Sequence, residues 1–141
     1  MINETLKLTG RVTVLLNDEV VQEIDNLVVT DGKGYVASRM KDATATVMSH
    51  MSVGTGSTAA AASDSALGAE AGRVALTSTS VTGAAVTYSA SFPAGTGTGA
   101  LTEAAILNAS SGGTMLCRTV FSVVNKQSAD AMTIQWQVSA S

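Results

Sequence analysis

The chain has 141 residues, enough for a single domain that buries about two-thirds of the surface its unfolded form exposes, so neither a disulfide nor a metal is needed to hold it. Its net charge of -3 and pI near 4.9 exclude the basic stripe of a nucleic-acid binder. The first residues, MINETLKLTG, lack a basic segment followed by an apolar run, no stretch approaches the roughly 18 apolar residues of a membrane span, and the lone Cys117 suits synthesis in a reducing cytoplasm.

Thr5 to Leu16 alternates as a strand with Leu6, Leu8, Val12 and Val14 inward, Asn17-Asp18 supplies a turn, and Val20 to Val29 returns, which predicts an N-terminal β-hairpin. Thr30-Asp31-Gly32 starts a helix with Tyr35, Val36, Arg39 and Met40 at helical spacing, and Lys41 to Thr46 reads as a loop. Val47 to Val53 alternates as a strand until Gly54 and Gly56 break it. A small-residue crossover follows, expected to carry the chain from one sheet to the other, in which Ser63-Asp64 is expected to cap one or two helical turns over Ser65 to Ala69.

Arg73 opens the next strand, and Val81-Thr82-Gly83-Ala84 reads as a turn. Val86, Tyr88, Ala90 and Phe92 alternate up to Pro93, which has no amide hydrogen for a ladder. Residues 93–99 form a loop around Gly95, Gly97 and Gly99 that reads as flexible. Ala100 to Ala109 sets Ala104 and Ile106 on one face and Ala105 and Leu107 on the other; Met115 to Val124 and a last strand through Met132, Ile134, Trp136 and Val138 complete the pattern. The expected architecture is all-β: one domain over residues 1–141, an antiparallel β-sandwich or jelly roll of about seven or eight strands with one short helix.

Charge is distributed unevenly. Residues 1–42 hold 12 of the 19 charged side chains, leaving 7 for the remaining 99 residues. A free soluble domain carries about 25–35% charged residues on its surface; here Thr, Ser, Ala and Gly stand in their place. Small uncharged β faces pack closely at little desolvation cost, so the C-terminal two-thirds is expected to be covered by neighbouring subunits. The charged N-terminal hairpin and helix would then form a separate docking edge.

Residues that could carry chemistry are few. His50 is the only histidine, no ligand-spaced Cys or carboxylate lies near it, and no GxSxG elbow presents a nucleophile. Gly54-Thr55-Gly56-Ser57-Thr58 lacks the lysine of a P-loop, and Gly95, Gly97 and Gly99 miss the dinucleotide spacing, so both are turns. Cys117 reads as a buried thiol. Asp64 and Glu70 suit a helix cap and a salt link to Arg73, and Glu103, among apolar neighbours, calls for Arg118 across the sheet or an exposed position. Trp136 fits the core by its alternation; facing outward it would instead be a contact residue. No enzyme, cofactor or metal is expected. The interface candidates are Tyr35, Arg39 and Trp136 with Gly95, Gly97 and Gly99.

Three segments carry a resemblance: Asn26-Leu27-Val28-Val29-Thr30-Asp31-Gly32-Lys33; Met51-Ser52-Val53-Gly54-Thr55-Gly56-Ser57-Thr58 leading through Asp64 and Leu67 to Arg73; and Phe92 through the glycine-threonine loop to Glu103 and Ile106. Together they resemble small structural proteins of tailed-bacteriophage virions, which occur as head decoration (cement) proteins and as fibre, collar or baseplate modules. The resemblance implies a β-sandwich acting as an oligomer, dimer or trimer, on a virion after synthesis in the host cytoplasm, with the major capsid protein or other virion proteins as partners. It transfers no catalytic residue. The leading expectation is a capsid decoration protein that cements the head shell. The alternative is a tail fibre, collar or baseplate module that contacts a partner or host glycan through Gly95 to Gly99.

Overall fold

A computed structural model describes residues 4–41 and 45–141; residues 42–44 of the expected 41–46 loop lie outside the described residues. The described chain is mostly β, in two antiparallel five-stranded sheets with one helix. The strands are β1 (Leu8–Leu16), β2 (Glu19–Asp25), β3 (Leu27–Val28), β4 (His50–Gly54), β5 (Glu70–Ala75), β6 (Ser78–Thr82), β7 (Ala85–Phe92), β8 (Gly99–Leu107), β9 (Met115–Lys126) and β10 (Met132–Ala140); the helix α1 is Thr30–Lys41. The first sheet has the order β2-β1-β10-β7-β6 and the second β3-β9-β8-β4-β5.

Asn17 and Asp18 both have positive φ, at 50° and 68°, and join β1 to β2 as the mirror-image turn that matches strand twist. The Asn17 amide donates to Asp130 Oδ1 at 2.9 Å and its oxygen accepts from the Ala131 amide at 3.0 Å, tying this turn to the one before β10. The return strand is shorter than the expected Val20 to Val29. It leaves the first sheet after Asp25, and Leu27–Val28 pair with Arg118 and Cys117 in the second. The hairpin is therefore no appendage: β1 lies inside its sheet between β2 and β10, and Val12 and Val14 are fully buried.

Both sheets contribute to one hydrophobic core. Val12, Tyr88, Phe92, Ile134 and Trp136 from the first meet Met51, Val53, Leu101, Ala104, Ile106 and Phe121 from the second. Trp136 is fully buried, opposite Val12 on β1 and Tyr88 on β7, so the outward-facing reading of this residue is corrected: it is core and offers no surface contact. Ala105, Leu107, Met115 and Val29 form a smaller cluster with Leu67 packed against it, which separates the β8 faces as the alternation requires. That second face is roofed by the chain itself. The helix is pinned there by the Val29 amide on Leu116 O (3.3 Å) and the Thr30 amide on Ala62 O (2.8 Å), with Gly32 buried against Leu116. Tyr35 and Val36 pack against the core, whereas Met40, at the same helical spacing, is 81% exposed.

No helix forms over Ser65 to Ala69, and the segment runs as turns and bends from β4 to β5, which pair side by side, so the crossover returns to its own sheet and does not pass to the other. Val81 and Thr82, expected in a turn, belong to β6, and the turn sits at Gly83, with φ of 58°, and Ala84.

Candidate functional site

Two features stand out: a buried carboxylate that fixes the crossover, and a sheet face with almost no charge. Glu103 on β8 is completely buried on the roofed side of the second sheet. Its Oε2 accepts from the amides of Gly56 (2.7 Å) and Ala69 (2.8 Å), and its Oε1 from the amide of Gly68 (2.8 Å) and from Arg118 Nη2 (2.8 Å). Arg118, on the adjacent strand, also donates from Nη1 to Asp64 Oδ2 at 2.9 Å and from Nη2 to Thr58 O at 3.0 Å. Thr102 Oγ1 closes the set on Gly56 O at 2.7 Å. One carboxylate thus clasps the first and last turns of a loop whose ends are over ten residues apart in sequence.

Gly56 is required here, because a Cβ at this position would lie 2.5 Å from Glu103 Oε2. Burial alone would push the Glu103 carboxyl up; the amide of Ala69, the Arg118 side chain, and the amides of Gly68 and Gly56 outweigh it and hold the group below its ordinary value. The sequence reading of a Glu103–Arg118 pair holds, and so does the Glu70–Arg73 link, at 2.7 Å. Asp64 caps no helix. It is drawn into the Arg118 pair, and its Oδ2 also accepts from the Ala61 amide at 2.8 Å.

With Glu103, Arg118, Asp64, Glu70 and Arg73 engaged in these pairs and Lys126 buried, its Nζ donating to Pro93 O at 2.9 Å, the last 99 residues have little charge left for their surface. The consequence is sharpest on the first sheet. Strands β6, β7 and β10 contain no Asp, Glu, Lys or Arg. Tyr88, Ala90, Ile134, Trp136, Val12 and Val14 point into the core, so the alternate residues line the outer face in ranks. One rank runs Ser78, Ser89, Gln135, Thr13, Glu23 and the next Ser80, Thr87, Gln137, Arg11, Asp25. Charge enters only at the β1–β2 margin, where Arg11 and Asp25 pair at 3.0 Å on the open surface.

Of the six interface candidates, Tyr35 and Arg39 are brought together. They line one cavity of about 620 Å³ with Val47, Met48, Val81 and Tyr88. Tyr35 is half-buried and Arg39 exposed, its Nη1 donating to Ala45 O at 2.9 Å. Burial, and then the neighbouring Tyr35 and Cys117, push the Tyr88 hydroxyl up to about 12, so it is neutral at physiological pH. The glycine loop lies elsewhere and is buried only at Gly97. Gly97 is buried with φ of 63°, where a Cβ would come within 2.8 Å of Val53, and its backbone fills the space beside Gly72. Gly97 is therefore a packing residue and not a contact; Gly95, with φ of 85°, stays exposed, and Gly99, with φ of 137°, begins β8 half-buried.

His50 is half-buried, its Nδ1 2.8 Å from Ser49 Oγ. Cys117 is fully buried, and burial pushes its thiol far up. Among the described residues no three His, Cys, Asp or Glu side chains gather where they could hold a metal ion, and no helix is long and apolar enough to cross a membrane. The chain matches no protein-family model, no curated protein and no solved structure.

Proposed function

We propose that this chain is a non-catalytic structural protein of a tailed-phage virion, a decoration protein whose two sheets pack as a β-sandwich and which cements the head shell by docking on the major capsid protein. The antiparallel pairing of strands consecutive in sequence (β1–β2, β4–β5, β6–β7, β8–β9) favours a plain sandwich over a jelly roll. The observation that carries the reading is the charge-free outer face of β6, β7 and β10. Hydroxyls and carboxamides exchange water for protein partners at far lower cost than charges do. A sheet face presents them in regular ranks, and modest affinity per copy is multiplied wherever several copies on one lattice act together. Of the three loop glycines that a tail module would present, Gly97 is buried, Gly99 half-buried and Gly95 exposed.

Immunogold labelling of purified particles tests this. Label is expected over the whole head. Label confined to the neck or tail favours a fibre, collar or baseplate module instead, and absence of the chain from purified particles by mass spectrometry overturns both readings.

A further inference from the structure

Each sheet has two edges, and three of the four are guarded. Strand β2 carries Glu19, Glu23 and Asp25 and a register shift opposite Val14 and Leu15. Strand β3 is two residues long. Strand β5 carries Glu70 and Arg73, faces a second register shift between Val53 and Gly54, and has Gly97 packed on Gly72. Charges, bulges and brevity are the usual means by which edges are kept from pairing with other chains.

Strand β6 has none of them. Its sequence, Ser78-Thr79-Ser80-Val81-Thr82, holds no charge and no proline, all five residues are exposed, and its ladder with β7 is regular from Ser78↔Ser89 to Thr82↔Ala85. Among the described residues no strand pairs with its other side. Val81 is 72% exposed at the rim of the cavity that Tyr35, Val36 and Val47 line, and Val47 is itself 53% exposed.

We infer that β6 is the self-association edge of the protein, pairing antiparallel with β6 of a second copy about a two-fold axis through Ser80. A second copy is the occupant that the charges select. Antiparallel pairing sets Ser78 against Thr82, Thr79 against Val81 and Ser80 against Ser80 of the partner subunit, so every cross-strand pair is neutral and small. Head-to-tail pairing of β6 with β2 would instead set this edge beside three carboxylates and a bulge. The two-fold arrangement closes on itself, covers both copies of Val81, and joins two first sheets into one ten-stranded sheet whose six central strands share a continuous neutral outer face. The inference deepens the reading of the chain as an assembling structural protein and rests on it. Its test uses the purified chain without particles, so the edge and the virion role can fail separately.

Ser80 is exposed and makes none of the side-chain hydrogen bonds described above, so Ser80→Lys and Ser80→Glu should fold normally while placing like charges face to face. By sedimentation equilibrium at high micromolar concentration the wild-type chain is expected to be a dimer, twice its 14.2 kDa. Each variant should weaken association by about tenfold or more, and an equimolar mixture of S80K and S80E should restore the dimer. A monomeric wild-type chain, an oligomer that both variants leave intact, or variants that stay apart when mixed overturns the assignment.

Discussion

Arg118→Ala is expected to cost about 3–5 kcal/mol of unfolding free energy, the range for breaking a buried ion pair from one side. Among the described residues the guanidinium is the only side-chain cation on Glu103, which has no exposure to water, and it also holds Asp64 and the Thr58 carbonyl. Removing it leaves a buried carboxylate with three amide donors and no counter-charge. It also frees the middle of the crossover from the sheet. Arg118→Lys keeps the charge but loses the planar fork that reaches three acceptors at once, so it should fall between wild type and alanine. Urea unfolding followed by Trp136 fluorescence measures both. An unchanged midpoint for Arg118→Ala would mean that the crossover is held by its other contacts.

Glu103→Gln should be the second severe change, at about 3 kcal/mol near neutral pH. Oε2 faces two N–H donors and Oε1 three, two of them from Arg118, so whichever way the carboxamide is turned, its NH2 group confronts N–H groups that need an acceptor. This substitution also isolates the acid limb of the stability curve. The folded-state pKa of Glu103 lies below its ordinary value of 4.5, so on acidification the unfolded chain binds the proton first. The stability the carboxylate contributes is complete above that ordinary value and is lost as pH falls through the folded pKa. Wild type should therefore weaken steeply below about pH 4.5, E103Q should weaken less, and the gap between them should narrow. Parallel acid limbs for the two proteins would show that Glu103 is not the group responsible.

Much of the fold could be read locally, because a strand between core and surface writes its period into the sequence. The alternations through Val86–Phe92 and Met132–Val138 and the two faces of Ala104 to Leu107 are found in β7, β10 and β8, and Asn17-Asp18 turns where its residue types favour positive φ. The failures have long-range causes. Val20 to Val29 reads as one return strand, yet the chain changes sheets at Asn26, which the local residue types do not encode. Ser63-Asp64 has the composition of a helix cap, but the amides of Gly68 and Ala69 are taken by Glu103, some 35 residues further on, and Asp64 is taken by Arg118. Val81-Thr82-Gly83-Ala84 looked like one turn because its first two residues form an exposed edge strand with no burial to set its pattern.

At the site, the pairing of Glu103 with Arg118 was legible because a carboxylate among apolar residues requires a partner. Its role as the anchor of the crossover was not, because the remaining donors are backbone amides, which every residue carries. The charge-poor C-terminal region was visible as composition. Only strand order shows that the deficit gathers on one face, at the opposite side of the sheet from Glu19, Glu23 and Asp25.

That face carries the functional claim, and rebinding to particles that lack the chain tests it most directly. Gln135→Glu with Gln137→Glu changes two exposed side chains on the outer face of β10 to near-isosteric carboxylates and leaves core and edge untouched. Bound protein per particle would be quantified for wild type and the double variant after both are shown to melt alike. The account predicts that wild-type protein saturates the heads and that the variant binds about tenfold more weakly or worse, because two charges must then be desolvated against a neutral surface. Equal binding by the two proteins, or no rebinding by wild type, would contradict it.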